Sequence, residues 1–193
     1  YVFFDQPVGD FKIGEAVDAN GHALNMVDAT QGTDYKVKVF LYQPVTAGQA
    51  AEFTATTNVG HMIYEDTMNP GNVGMQFVPS TWPTASAPIG DLRILEVLPS
   101  GVSTSMIKVT PNWDTAYTDA NESGRLVVYW ERKNFPAASR FQVGVSFPKN
   151  YVQSYVTSQP AQTTETISLP LTSLAGISVL FIVVALVAAV RRG

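Results

Sequence analysis

Apolar and polar residues alternate with a period of two over many short stretches of this chain. Over 35–42, Val37, Val39 and Leu41 fall on one face of an extended segment and two lysines fall on the other. The same alternation recurs over 140–147. Because successive side chains of a β-strand point to opposite faces of its sheet, this spacing predicts strands with one buried face. Further strands, rich in Val, Ile, Thr, Phe and Tyr, are predicted over 11–17, 53–56, 59–64, 73–78, 92–98, 104–109, 125–131 and 151–156.

Turn-forming pairs such as Asn20-Gly21 and Ser123-Gly124 separate these stretches. None of the sequence before the C-terminal segment has the apolar spacing of a helix over three turns. Short strands at this spacing predict an all-β fold, an antiparallel β-sandwich of immunoglobulin-like or jelly-roll type. We place this β-sandwich domain at 1–156.

The C-terminal segment has a different pattern. From Leu174 to Val190 it is uncharged and almost wholly apolar, it includes Gly176, and it ends at Arg191 and Arg192. At the rise of an α-helix it spans roughly 26 Å, close to the thickness of a bilayer core. Only a helix satisfies its own backbone in lipid. The sequence therefore predicts a transmembrane α-helix over 169–190 and a cytoplasmic basic end over 191–193.

A Thr-rich polar stretch over 157–168 lies before this segment and is predicted to be an extended stalk. It is followed by Leu169-Pro170-Leu171-Thr172-Ser173. This arrangement resembles the sortase sorting signal of Gram-positive surface proteins, Leu-Pro-x-Thr-Gly, although Ser173 stands in the place of Gly. It also resembles the stalk, single helix and Arg pair at the end of many surface proteins of thermophilic archaea. Both resemblances imply a protein displayed at a cell surface.

The basic end also predicts the orientation of the chain in the membrane. Positive residues favour the cytoplasmic side, so the N-terminal domain is expected outside, on a cell or virion surface, and the C-terminus in the cytoplasm or virion interior. A chain that begins at Tyr1 rather than Met is expected to be a mature product after signal-peptide cleavage. It has no Cys, so disulfides and thiolate metal sites are excluded.

Composition argues against several classes of function. The net charge is −4, which provides no basic surface for nucleic acid. No Gly-x-Ser-x-Gly, His-Glu-x-x-His or phosphate-binding glycine loop is present. We therefore expect neither an enzyme nor a protein with a cofactor.

One acidic stretch, predicted to be a loop over 112–123, offers a candidate metal site. It contains Asp114, Asp119, Asn121 and Glu122, and hard oxygen ligands of this kind suit Ca²⁺. The spacing differs from that of an EF-hand, and a solvated turn is the alternative interpretation. Asn121-Glu122-Ser123 is also a glycosylation sequon, so Asn121 is a candidate site of glycan attachment.

Other candidate ligands are more scattered. His22 and His61 are the only histidines, and a His/Met copper site is conceivable. Because His61 and Met62 are adjacent, a strand would place them on opposite faces, which favours a core Met62 and a surface His61. A second acidic group consists of Glu65, Asp66, Asn69 and Asn72. The tryptophans, Trp82, Trp113 and Trp130, are candidates for stacking on sugars, although the position of Trp130 in a predicted strand favours a place in the core.

These features favour a single-pass surface protein with a structural or assembly role in a cell or virion envelope, as a surface-layer, filament or coat component. Its expected partners are the lipid bilayer and other protein subunits. One alternative is an accessory subunit of a larger membrane complex, since Gly176 permits close contact between helices. The other is a stalked module that binds a glycan or a metal.

Overall fold

The computed structural model describes residues 1–46, 48–79, 88–119, 122–136 and 139–157, together with the backbone of 179–187. The described residues are built of antiparallel β-sheets, which confirms the predicted all-β class. Within the described residues the helical segments are two single 3₁₀ turns, Thr104–Met106 and Lys149–Tyr151. Neither has the length and apolar character needed to cross a bilayer.

The first strands of the chain form two sheets around one core, which we call the N-terminal sheets. Their strands are β1 (Val2–Asp5), β2 (Phe11–Asp18), β3 (Met26–Asp28), β4 (Lys36–Val39) and β5 (Ala51–Val59). One sheet has the order β1-β4-β3, and β2 pairs with β5 in the other. Val37 and Val39 of β4 pack with Phe53 and Ala55 of β5, so the core lies between the two sheets. The prediction that Val37 and Val39 lie on the buried face of this strand is thereby confirmed.

The next strands form a second pair, the C-terminal sheets. Their strands are β6 (Tyr64–Glu65), β7 (Asn72–Phe77), β8 (Ile89–Val97), β9 (Lys108–Thr110), β10 (Thr115–Asp119), β11 (Arg125–Phe135) and β12 (Val143–Pro148). One sheet has the order β6-β7-β12-β9 and the other β10-β11-β8. Buried side chains of both sheets join one cluster around Trp130, which includes Val73, Leu98, Val143 and Phe147. This cluster is larger than the N-terminal one and separate from it.

Three of the predicted strands differ from the structure. The strand expected over 59–64 is interrupted, because His61 has a φ of 53°, outside the extended region. Residues 104–106 form a 3₁₀ turn, and only the end of that stretch pairs as β9. The stretch 151–156 lacks strict alternation and pairs only at Val156, through an isolated bridge to Tyr64. The predicted acidic loop, in contrast, contains strand β10.

The C-terminal apolar segment contains a strand where the sequence predicts part of a helix. This strand, β13 (Val179–Val187), pairs antiparallel with β5, from Val179 opposite Val59 to Val187 opposite Ala51. The segment is rich in β-branched Val and Ile, which favour extended backbone. The rest of the predicted helix, the basic end and all but the first residue of the stalk lie outside the described residues. The predicted boundaries of the domain therefore stay a prediction.

Candidate functional site

The outer face of the sheet β1-β4-β3 exposes several aromatic side chains around a lysine. Phe3 of β1 pairs with Lys38 of β4, and Val27 of β3 pairs with the same lysine from the other side. Since Val37 and Val39 point into the core, the alternation along β4 turns Lys38 outward. Phe40 follows β4 on the same outer side. We call Tyr1, Phe3, Lys38 and Phe40 the aromatic patch.

The rings of the aromatic patch are arranged around the lysine ammonium group. The Nζ atom of Lys38 lies 4.0 Å from the ring centroid of Tyr1, 4.7 Å from that of Phe40 and 5.9 Å from that of Phe3. Such cation–π contacts hold the flexible lysine side chain over the rings. Tyr1, Phe3 and Phe40 nevertheless remain 69%, 39% and 39% exposed. Val27, also exposed, extends the same apolar surface.

An exposed group of large apolar side chains is a candidate contact surface for another molecule. The rings of Tyr1 and Phe3 meet at 69°, edge to face, so they do not form one flat platform for a row of sugar rings. Lys38 also occupies the face of Tyr1. The arrangement therefore suits an irregular protein surface better than a flat glycan.

The aromatic patch had no clear signal in the sequence. Tyr1, Val2, Phe3 and Phe4 are all apolar, so the alternation that sorts core from surface is absent in this run. Phe4 packs against the buried cluster and makes an edge contact with Phe53, whereas Phe3 points outward. The one usable clue was the outward phase of the lysines in 35–42, which places Phe40 on their side of the strand.

The candidate calcium ligands are not gathered into one site. Asp114 precedes β10 and Asp119 ends it, so they stand roughly 17 Å apart at the rise of a strand. The Asp114 carboxylate accepts hydrogen bonds from the backbone N–H of Glu131 at 2.7 Å and from Arg132 at 2.8 Å. These bonds lower the pKa of Asp114. Glu122 forms an ion pair with Arg125. Asn121, the fourth candidate ligand and the candidate glycan site, lies outside the described residues.

The second acidic group closes a turn. Asp66 accepts hydrogen bonds from the backbone N–H groups of Met68 and Asn69 and from the Asn69 side chain at 2.8 Å. Burial opposes ionisation of Asp66, but these bonds and one from Ser146 outweigh it and lower its pKa. Asn72 donates to Ser146 at 3.1 Å. Asp66 and Asn69 therefore close the turn between β6 and β7, Asn72 links β7 to β12, and both carboxylate oxygens of Asp66 already accept hydrogen bonds.

The two histidines lie in separate pairs with aspartates. His22 contacts Asp18 at 2.8 Å and stacks on Tyr42, with ring centroids 4.0 Å apart. The His22 hydrogen bond lowers the pKa of Asp18. His61 is exposed and contacts Asp10, while Met62 is buried in the core, as the sequence indicates. In the described part of the chain, no three His, Asp or Glu side chains converge as they would around a metal ion.

The two tryptophans that the structure describes, Trp113 and Trp130, both belong to the core of the C-terminal sheets. Trp130 is fully buried and donates its indole N–H to the carbonyl oxygen of Pro111 at 3.1 Å. Trp113 packs partly buried against the same core. Trp82 lies outside the described residues, as do the predicted anchor residues Leu174, Gly176, Val190, Arg191 and Arg192.

Glu96 is a buried carboxyl group that sequence reasoning missed. It lies on β8 between Ile94 and Leu98, on the strand face that points into the C-terminal core, and is only 2% exposed. Neither of its carboxylate oxygens has a hydrogen-bond partner. Burial therefore raises the pKa of Glu96 to about 8, so the group is held largely protonated at neutral pH. The alternation over 92–98 could have predicted the burial of Glu96, because it places this residue on the same strand face as Ile94 and Leu98.

Neither family models, nor curated proteins, nor solved structures show a match to this chain.

Proposed function

We propose that this chain is a single-pass, membrane-anchored surface protein whose all-β body has a structural role in the assembly of a cell or virion envelope. The observation that carries the proposal is the aromatic patch. Three exposed rings on one sheet face, held around a lysine, form a surface whose burial against a protein partner is favourable. The absence of a converging metal-binding cluster in the described residues is consistent with a structural role.

The anchor in this proposal is the apolar segment 169–190, crossing the bilayer as a helix. In hydrocarbon a helix satisfies its backbone hydrogen bonds internally. In water the same backbone needs external partners, and pairing of Val179–Val187 with the edge of β5 supplies them. In this pairing, β13 residues stand opposite apolar Ala55 and Val59 at some positions of β5 and opposite polar Thr54 and Asn58 at others. The uncharged, apolar composition of the segment is what supports lipid as its environment in the cell.

The order of the C-terminal strands supports the jelly-roll alternative over the immunoglobulin-like one. β7 pairs with β12 and β8 pairs with β11, so that early strands pair with late ones in a nested sequence. β9 then pairs with β12, and β10 with β11. This nesting is the signature of a jelly roll, here with fewer strands than the usual eight. Jelly rolls serve in coats and in binding modules alike, so this fold by itself does not distinguish the two functions.

The proposal is tested with the full chain expressed in membranes. We expect the protein to resist extraction by alkaline carbonate and, after release in mild detergent, to sediment as particles of several copies. The variant Phe3→Thr/Phe40→Thr removes two rings while keeping β propensity, and it should sediment as single copies. Met68→Thr changes an exposed apolar residue outside the patch and serves as the control.

The result that overturns the proposal is a wild-type protein that leaves the membrane with carbonate, or that sediments as a single copy at every concentration.

A further inference from the structure

One edge of β5 has only the C-terminal segment as its neighbour. β2 pairs with one side of β5, and β13 pairs with the other. Without β13, the stretch Ala51–Val59 would be an edge strand with a row of unpaired backbone groups. Lysine and proline, which commonly protect such edges, do not occur in β5, and its one register shift lies on the β2 side, between Ile13 and Ala16. The sequence of β5 is therefore that of a strand with a neighbour on both sides.

The C-terminal segment fits this edge along its whole length. All nine residues of β13 pair with the nine residues of β5, without a register shift. The connection between the two also permits this pairing. Val156 forms a bridge with Tyr64, which follows Val59 closely in the chain, and the roughly 22 residues over 157–178 can span up to about 70 Å. One chain can therefore cover its own edge.

The pairing satisfies the backbone of the segment more completely than it removes the segment from water. Phe53, Ala55 and Val59 of β5 are buried, so the even-numbered residues of this strand lie on its outward face. Directly opposite residues of an antiparallel pair share a face. The β13 residues with outward positions are therefore Leu180, Ile182, Val184 and Leu186. A bilayer core would remove these four residues from water as well, so lipid is the more favourable environment for the segment.

We propose that the edge of β5 holds the membrane segment in an extended form in water, until the segment leaves this edge and enters a bilayer. This inference rests on the proposed membrane anchor and adds the site that the segment occupies before insertion. In lipid the segment is a helix, its backbone hydrogen bonds close internally, and β5 becomes an edge strand. Before insertion, the pairing with β5 keeps an apolar segment of high β propensity from stacking with other copies.

Cysteine pairs in the full chain test the first site, because the chain has no Cys of its own. Thr54→Cys/Val184→Cys and Asn58→Cys/Leu180→Cys join directly opposite positions, whose Cα atoms stand roughly 5 Å apart in an antiparallel pair, within reach of a disulfide. The crossed pairs, Thr54→Cys/Leu180→Cys and Asn58→Cys/Val184→Cys, use the same four positions at roughly 14 Å and are the controls. After synthesis without lipid and oxidation by oxidised glutathione, non-reducing electrophoresis should show at least about tenfold more intramolecular disulfide in the opposite pairs.

Vesicles of phosphatidylcholine and phosphatidylglycerol test the exchange itself. Each variant in its reduced form should enter the vesicles and resist extraction by alkaline carbonate. The oxidised opposite pairs should remain extractable, because the disulfide holds the segment on β5, and dithiothreitol should restore their insertion. The crossed pairs should enter the vesicles with or without the oxidant.

The outcomes separate the inference from the anchor on which it rests. Equal disulfide yields in opposite and crossed pairs, or a locked protein that inserts as well as the reduced one, would overturn the inference and leave the anchor standing. Reduced protein that never enters the vesicles, although the wild type is anchored when expressed in membranes, overturns it as well. If carbonate extracts the wild type from those membranes, the anchor itself fails. Circular dichroism checks folding, and either opposite pair with its crossed control suffices if the other does not fold.

Discussion

The N-terminal sheets carry Tyr1, Phe3 and Phe40 on an outer face, whereas the C-terminal sheets enclose their largest aromatic residues, Trp130 and Phe147, in the core. Buried aromatic side chains stabilise the fold to which they belong, and exposed ones become stabilising only when a partner covers them. The difference separates two roles within one chain. The C-terminal sheets hold the larger core, and the N-terminal sheets carry the surface that we propose for association.

Removing the indole ring of Trp130, the largest buried side chain of the C-terminal sheets, should have the largest effect on stability. Trp130→Ala should lower the free energy of unfolding by about 3–5 kcal/mol, because it leaves a cavity and the carbonyl of Pro111 loses its indole donor. Urea denaturation followed by circular dichroism measures the loss. Leu95→Ala, at an exposed position of the neighbouring sheet strand, is the matched control and should have a small effect. Equal losses in the two variants would contradict a core centred on Trp130.

A second test uses the carboxyl group buried in the C-terminal core. Replacing Glu96 by Leu should raise the free energy of unfolding at pH 8 by about 1–3 kcal/mol, since an unpartnered polar group is exchanged for an apolar one. Glu96→Gln removes the charge and keeps the shape. Urea denaturation at several pH values compares both variants with the wild type.

The pH dependence of the free energy of unfolding of the wild type tests the direction of the Glu96 pKa shift. The folded state holds the Glu96 proton up to a pKa of about 8, whereas the unfolded chain releases it near its ordinary value of 4.5. Between these values the folded state binds more protons, so stability falls as pH rises, by at most about 1.4 kcal/mol per pH unit, and levels off above the folded pKa. This fall should vanish in both Glu96 variants. A wild type whose stability rises across this range, with the variants following it, would show that Glu96 is not buried as described.

The exposed rings should contribute far less to folding. Phe3→Thr/Phe40→Thr should lower the free energy of unfolding of the N-terminal sheets by about 2 kcal/mol for the two rings together, because each ring keeps 39% of its surface in solvent. Phe53→Ala, inside the same sheets, is the control and should cost about 3–5 kcal/mol. Both are measured in dilute detergent, where copies are separate. A large loss in the patch variant would mean that the rings belong to the core.

The smallest expected effect is that of calcium. Asp114 and Asp119 stand at opposite ends of β10, and Asp114 and Glu122 already bind arginines. Addition of Ca²⁺ should therefore leave the unfolding temperature unchanged, in the wild type and in Asp114→Asn alike. A calcium-dependent rise that Asp114→Asn abolishes would restore the predicted site.

The sequence was sufficient for the fold class because alternation reports which face of a strand is buried. It correctly placed Val37 and Val39 in the core, and the same phase around Glu96 was visible. It did not show which side chains of Tyr1–Phe4 face the core, because all four residues are apolar and do not alternate with polar ones. It also missed β10, because the acidic and polar residues of 112–123 have the composition of a loop, whereas pairing with β11 decides their conformation. The apolar C-terminal segment fits a helix in lipid and a strand beside β5, so its conformation depends on its surroundings.

The most direct test of the central claim, association of anchored copies through the aromatic patch, is electron cryo-microscopy of the full chain in lipid vesicles. We expect wild-type particles with regularly spaced neighbours on the vesicle surface, the same order in Met68→Thr, and isolated particles in Phe3→Thr/Phe40→Thr. Isolated wild-type particles, or order that survives the loss of both rings, would contradict the account.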